Sequence, residues 1–149
     1  MAEKNPLLNL RNEIDALDQQ IMENISARAR CAQTVAEIKE KLGDTAYYKP
    51  EREAQVLRSV MEKNTGPLGN EDMARLFRQI MSACLALEQQ IKVAFLGPEG
   101  TFTQEAALKH FGDAAETVPK AAIDEVFRDV LAGSCNYGVV PVENSTEGV

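Results

Sequence analysis

The sequence predicts a mainly α-helical protein whose last third turns into a parallel α/β segment, and three observations predict it. Apolar residues recur every seven positions from Leu7 to Leu42. Prolines at helix starts, with glycines and a Gly-rich turn at the ends, divide the first 92 residues into three helices. After Lys92, short β-forming runs alternate with short helical ones.

The first helix starts at Asn5-Pro6, a capping residue followed by proline at the first helical position. Leu7, Ile14, Ile21, Val35 and Leu42 form one apolar row, and Leu10, Leu17, Cys31 and Ile38 its companion, the seam of a long packed helix. The pattern stops at Leu42-Gly43, where glycine supplies a left-handed cap. Such a rod is about 55 Å long. No small domain buries it alone, so a partner chain is expected.

A second helix is predicted from Pro50 to Lys63, and the run NTGPLGN over residues 64–70 is a turn. A third follows from Glu71 to about Ile91, with Leu76, Phe77, Ile80, Cys84, Leu87 and Ile91 as its apolar stripe. From Lys92, KVAFLG reads as a strand, TFTQEAALKHFG as a helix and ETVPK as a strand. IDEVFRDVLAG then reads as a helix and YGVVPVEN as a third strand. That order implies a parallel βαβαβ sheet with right-handed crossovers. It is only the beginning of a sheet domain, with its last strand bare.

Composition narrows the function. The net charge of −7 disfavours nucleic acid as a partner. That charge is uneven: residues 1–92 hold 13 Lys+Arg against 14 Asp+Glu, while residues 93–149 hold 3 against 9. The change near Lys92 divides the chain into domains 1–92 and 93–149. No apolar stretch is long enough to span a membrane, and the N-terminus lacks a signal-peptide pattern. Three cysteines without metal-type spacing and a single histidine argue against a disulfide framework, a zinc site or a His-based triad. A cytoplasmic location is expected.

The chemistry lies in misplaced charge. Arg28 stands on the first apolar row and Asn24 on the second, so the seam turns polar in its middle. A guanidinium facing a seam is costly unless an anion meets it, or unless it snorkels to the rim. Lys39 lies eleven residues on, about 20° from alignment and about 16 Å along the helix, with Ala32 and Val35 between. The pair suits a compact dianion.

Arg11 lies about 25 Å from Arg28 along the same helix and roughly 100° around it. If two such helices pack antiparallel about an axis near Met22, Arg11 of one chain arrives between Arg28 and Lys39 of the other, a site shared across a symmetric dimer. Taken alone, Arg11 reads equally as a solvated surface charge. Arg52 and Glu53 open the second helix, and Cys84 and Glu88 share a face one turn apart on the third. For Glu53 the plain alternative is a partner for the helix dipole, and for Cys84 a small core residue.

Several motifs together resemble a known family. NPLLxLRxxIDxLDxxI, Arg28, Lys39, PERE and a terminal CLxLEQ resemble the all-helical chorismate mutases. VAFLGPEGTFTQEAA and YGVVPVENSTEG resemble the N-terminal signatures of prephenate dehydratases. In this order they resemble the bifunctional chorismate mutase–prephenate dehydratases of bacterial phenylalanine synthesis, over nearly the whole chain.

The resemblance implies an intertwined homodimer of three-helix subunits acting on chorismate, with no cofactor and no metal. Arg11 (from the partner chain) and Arg28 would hold substrate carboxylates, and Lys39 would donate to the ether oxygen. Glu53 would bind the ring hydroxyl, Arg52 would support the pocket, and Glu88 would complete the ether-oxygen contact. Lys39, Glu88 and Arg28 are thus the expected catalytic residues. Many members have Gln where Glu88 stands; a glutamate donates only when protonated, and its position after SACLAL suggests partial burial. Lys49 and Cys84 stand where some members have Asp and Ser, and they complete the expected substrate-binding set.

In the second segment, Asn144, Ser145 and Thr146 match a stretch that lines the dehydratase cleft, and Gly97 to Gly100 its first loop. The family's second lobe, its Thr-Arg-Phe motif and its phenylalanine-sensing domain do not occur in these 149 residues. Dehydratase activity is therefore expected only from a full-length form. Two other functions share the helical scaffold: an isochorismate–pyruvate lyase and a non-catalytic helical dimerisation module.

Overall fold

A computed structural model of the chain describes residues 5–44 and 48–142. The chain divides into two compact units, Met1–Asp44 and Thr45–Val149.

The first unit is one helix, α1, Pro6–Lys41. Asn5 caps it by accepting a hydrogen bond from the Leu7 amide at 3.0 Å, with Pro6 in the first turn. Gly43 ends it in the left-handed region at φ +76°, and the Asp44 amide reaches back to the Lys39 carbonyl at 2.8 Å. Both ends therefore follow the predicted signals. Burial does not follow the pattern of a self-contained core: α1 buries none of its residues, and Leu10, Ile14 and Ile21 stay more than half exposed.

The second unit opens with a helical hairpin. Helix α2 spans Pro50–Lys63, as predicted, with proline in its first turn and Asn64 closing it. The Asn64 amide nitrogen donates to the Leu68 carbonyl and to Asn70 Oδ1, which fixes the turn into α3, Asn70–Glu88. This third helix stops three residues short of the predicted end, because Gln89 is extended at φ −154°, ψ 129°. Its buried residues are Ala74, Ser82 and Cys84, whereas the predicted stripe residues Leu76 and Leu87 are exposed. Ile91 packs in the core of the following sheet instead.

That sheet is parallel, in the order β2-β1-β3, from β1 (Lys92–Leu96), β2 (Glu116–Lys120) and β3 (Tyr137–Val139). Helices α4 (Phe102–Phe111) and α5 (Ile123–Leu131) are the crossovers. β1 is central, and Val93, Ala94 and Phe95 are fully buried, as a strand covered on both faces requires. Alternation sends Ile91 and Val93 to a cluster with Ala107 on α4, and Ala94 to one with Val126 on α5. The predicted mainly α fold with a parallel βαβαβ segment is the fold observed. The third strand is shorter than expected, since its ladder ends at Val139.

Within this unit the hairpin and the sheet are joined closely. Gln79 on α3 accepts a hydrogen bond from the Asp113 amide at 3.0 Å, and Gln90 donates to the Ala114 carbonyl at 2.8 Å. Tyr48, just before α2, packs its ring against Phe111 and Tyr137 at centroid distances of 5.6 and 5.3 Å.

Candidate active site

Helix α1 carries Arg11, Arg28 and Lys39 on one unbroken rod, so the spacing inferred for Arg28 and Lys39 holds along its backbone. Arg11 is exposed, and Arg28 and Lys39 are half-buried. The half-buried positions of this helix are Arg28, Ala29, Ala32, Ala36 and Lys39, a cationic pair with a floor of small residues between. Lys39 also lies in the last turn, where a cation meets the negative end of the helix dipole.

The other predicted residues lie in the second unit. Lys49 directly precedes α2, and Arg52 and Glu53 sit in its first turn. Arg52 is exposed and donates to Gln55 Oε1 at 2.8 Å. Glu53 is half-buried, with its carboxylate 3.7 Å from the Arg78 guanidinium on α3. The Arg78 Nε is buried and finds no hydrogen-bond acceptor, so its approach to Glu53 is one of charge rather than a formed bond. Cys84 is buried and Glu88 half-buried on the last turn of α3. Asn144, Ser145 and Thr146 lie outside the described residues.

Sequence reasoning missed two residues around Glu53. Arg78 is one, hidden among the many charges of α3. Tyr48 is the other. Burial, followed by the charge of the nearby Glu53 carboxylate, pushes the Tyr48 hydroxyl well above its usual pKa. The aromatic pair that opens YYKPERE was the available signal.

A separate cleft of about 770 Å³ opens in the second unit between the hairpin and α4, lined by Leu57, Met61, Arg75, Thr101, Glu105 and Lys109 among others. Its cations and acids balance, and several of its polar groups already bond one another, so it has no evident ligand preference.

A helix bearing paired, half-buried cations suits recognition of a small anion. Residues 10–89 match the chorismate mutase type II family. The chain belongs to this family. Residues 93–149 match the prephenate dehydratase family.

Similar proteins carry both parts. The bifunctional chorismate mutase/prephenate dehydratase of Pseudomonas aeruginosa is 63% identical over 152 aligned positions, which cover 99% of this chain and 42% of that protein. The protein of the same description from Stutzerimonas stutzeri is 62% identical, with the same coverage. This type II chorismate mutase chain thus spans under half the length of these relatives. Among solved structures, a chorismate mutase of Thermus thermophilus superposes with a TM-score of 0.55 at 32% identity, covering 57% of this chain and 96% of that one. Among the described residues no helix is long and apolar enough to cross a membrane.

Proposed function

We propose that this chain converts chorismate to prephenate in phenylalanine biosynthesis, through residues 1–92 acting as a mutase domain. Residues 93–149 are the N-terminal part of a prephenate dehydratase domain. The observation that carries the reading is the half-buried Arg28–Lys39 pair on α1, in a chain of the type II chorismate mutase family.

The reaction breaks the ether carbon–oxygen bond of chorismate while a new carbon–carbon bond forms. It is a pericyclic shift of a single substrate and needs no nucleophile. It requires the flexible dianion held in a compact chair, and charge developing on the ether oxygen met by fixed donors. Arg28, with Arg11 of the partner subunit, holds the carboxylates. Lys39 and protonated Glu88 donate to the ether oxygen, and Glu53 accepts the ring hydroxyl. Arg52, Lys49 and Cys84 line the rest of the pocket.

This assignment needs a homodimer, because Arg11 is too far along α1 to serve its own chain's Arg28. The exposed seam from Leu7 to Ile21 supports one, being a continuous apolar row of the kind that soluble monomers rarely leave bare. The assembly works in the cytoplasm, with neither nucleic acid nor membrane as partner.

The test is incubation of the purified chain with chorismate and identification of the product. Prephenate is expected. Unchanged chorismate from an intact dimer would reject the assignment in favour of a dimerisation module, and pyruvate release from isochorismate would favour a lyase. Arg28→Leu sharpens the choice: it strengthens a simple helical zipper but abolishes a mutase while the dimer persists.

A further inference from the structure

We infer that Arg78 is a positioning residue for Glu53: from α3 its charge sets where the carboxylate is presented, without the guanidinium touching substrate. The inference rests on the reading above that Glu53 binds the substrate's ring hydroxyl.

The two residues face each other across the hairpin. On α2, Glu53 lies one turn before the buried Leu57, and on α3, Arg78 lies one turn after the buried Ala74. Both steps lead away from the connecting turn, so the charges meet one turn beyond that apolar level. The Arg78 Nε comes within 3.7 Å of Glu53 Oε1, and the two side chains are only 30% and 17% exposed.

That separation is longer than a hydrogen bond, and the buried Nε has no other acceptor. Arg78 therefore acts through charge, which is stronger where water is partly excluded. It attracts the carboxylate without taking up, through Nε, a lone pair that a substrate hydroxyl needs. A swing of Glu53 into solvent would separate the pair and leave a half-buried guanidinium uncompensated, which is costly.

The frame behind Arg78 is firm on both sides. Gln79, the next residue, accepts the Asp113 amide at 3.0 Å, and Ser82, one turn on, abuts Gly112 at the end of α4. At the other end of the hairpin, Asn64 donates to the Leu68 carbonyl and to Asn70. The position of the cation is thus set by the fold before any substrate arrives. A carboxylate held in one place binds a hydroxyl better than one that must be ordered on binding.

The experiment is steady-state kinetics with chorismate on the 149-residue chain, comparing Glu53→Ala, Arg78→Gln, Arg78→Lys and the double variant Arg78→Gln with Glu53→Ala, with melting temperature measured alongside. Arg78→Gln is expected to raise KM roughly five- to tenfold with kcat little changed, the signature of lost uniform binding. Arg78→Lys keeps the charge and is expected to stay within about twofold of the parent KM, since no bidentate bond is at stake. The double variant is expected to show the KM of Glu53→Ala alone, because the arginine acts through the glutamate. Effects that multiply in the double variant would overturn the inference. So would a lowered melting temperature in Arg78→Gln with KM unchanged, which would make the ion pair structural and leave the site reading intact. Arg78→Met, which keeps the apolar stem, replaces Arg78→Gln should that variant not fold; failure of both to fold would also make the pair structural and overturn the inference. An unchanged KM in Glu53→Ala would overturn the assigned role of Glu53 and the inference with it.

Discussion

Ser82 on α3 fills the space that a side chain at residue 112 would need: a Cβ placed on Gly112 overlaps the Ser82 side chain. Gly112 is also in the left-handed region at φ +85°, where it caps α4 and turns the chain towards β2. Both facts demand glycine. Gly112→Ala should destabilise the chain by about 2–4 kcal/mol through overpacking and backbone strain. Urea denaturation measures it, and a loss under about 0.5 kcal/mol would mean that α3 and α4 do not meet this way in solution.

Lys39 separates a structural from a catalytic role by magnitude. As a cation in the last turn of α1 it contributes about 0.3–1 kcal/mol. As a donor to the ether oxygen it contributes roughly 3–4 kcal/mol to the transition state. Lys39→Ala should therefore lower kcat/KM at least about 100-fold with the helix and the oligomeric state unchanged. A loss below about tenfold would reduce Lys39 to its helix-end role.

Glu88 should make the rate depend on pH in a way that a glutamine would not. In the proposed role only the protonated acid donates to the ether oxygen, so kcat/KM should fall with rising pH. Glu88→Gln donates at every pH and should flatten the profile. A wild-type profile as flat as that of Glu88→Gln would remove Glu88 from the donor set.

Tyr48 and Tyr137 carry an alkaline signature. Burial raises both hydroxyls above the ordinary value of 10.0, with Glu53 adding to Tyr48 and Glu51 to Tyr137. The unfolded chain ionises near 10.0 while the folded chain keeps these protons, so the folded state holds more protons at high pH. Their contribution to stability is complete below that value and disappears as pH rises beyond it. Tyrosinate absorbance should grow at these two positions only as circular dichroism is lost, and Tyr48→Phe should make the alkaline loss of stability shallower. Ionisation of both rings with the fold intact would contradict their burial.

Legibility in the sequence followed the range of the interaction. Helix α2 runs from Pro50 to Lys63 as predicted, because proline and the following turn act within a few residues. β2 was legible despite Pro119, whose missing amide an edge strand accommodates. The helical period overruns the true end of α3 because Ile91 continues it. Periodicity records that a residue is apolar, not which core receives it, and Ile91 belongs with Val93 and Ala107. The cationic pair on α1 was visible because one helix fixes both members, whereas the pairing of Arg78 with Glu53 depends on how α2 and α3 pack.

The sequence by itself determined the elements, their order and most of their ends, the charges that break the α1 seam, and the family. Caps, periods and local motifs depend on neighbours within a turn or two, and composition encodes them directly. Only the tertiary structure decided that Arg78 and Tyr48 converge on Glu53, that Ser82 meets Gly112, and that His110 stands 62 residues away in sequence yet 3.3 Å from Tyr48. Those contacts exist because burying Phe111, Ile91 and Val93 in one core draws α4 and the sheet against the hairpin. No local pattern along the chain specifies which surfaces that burial brings together.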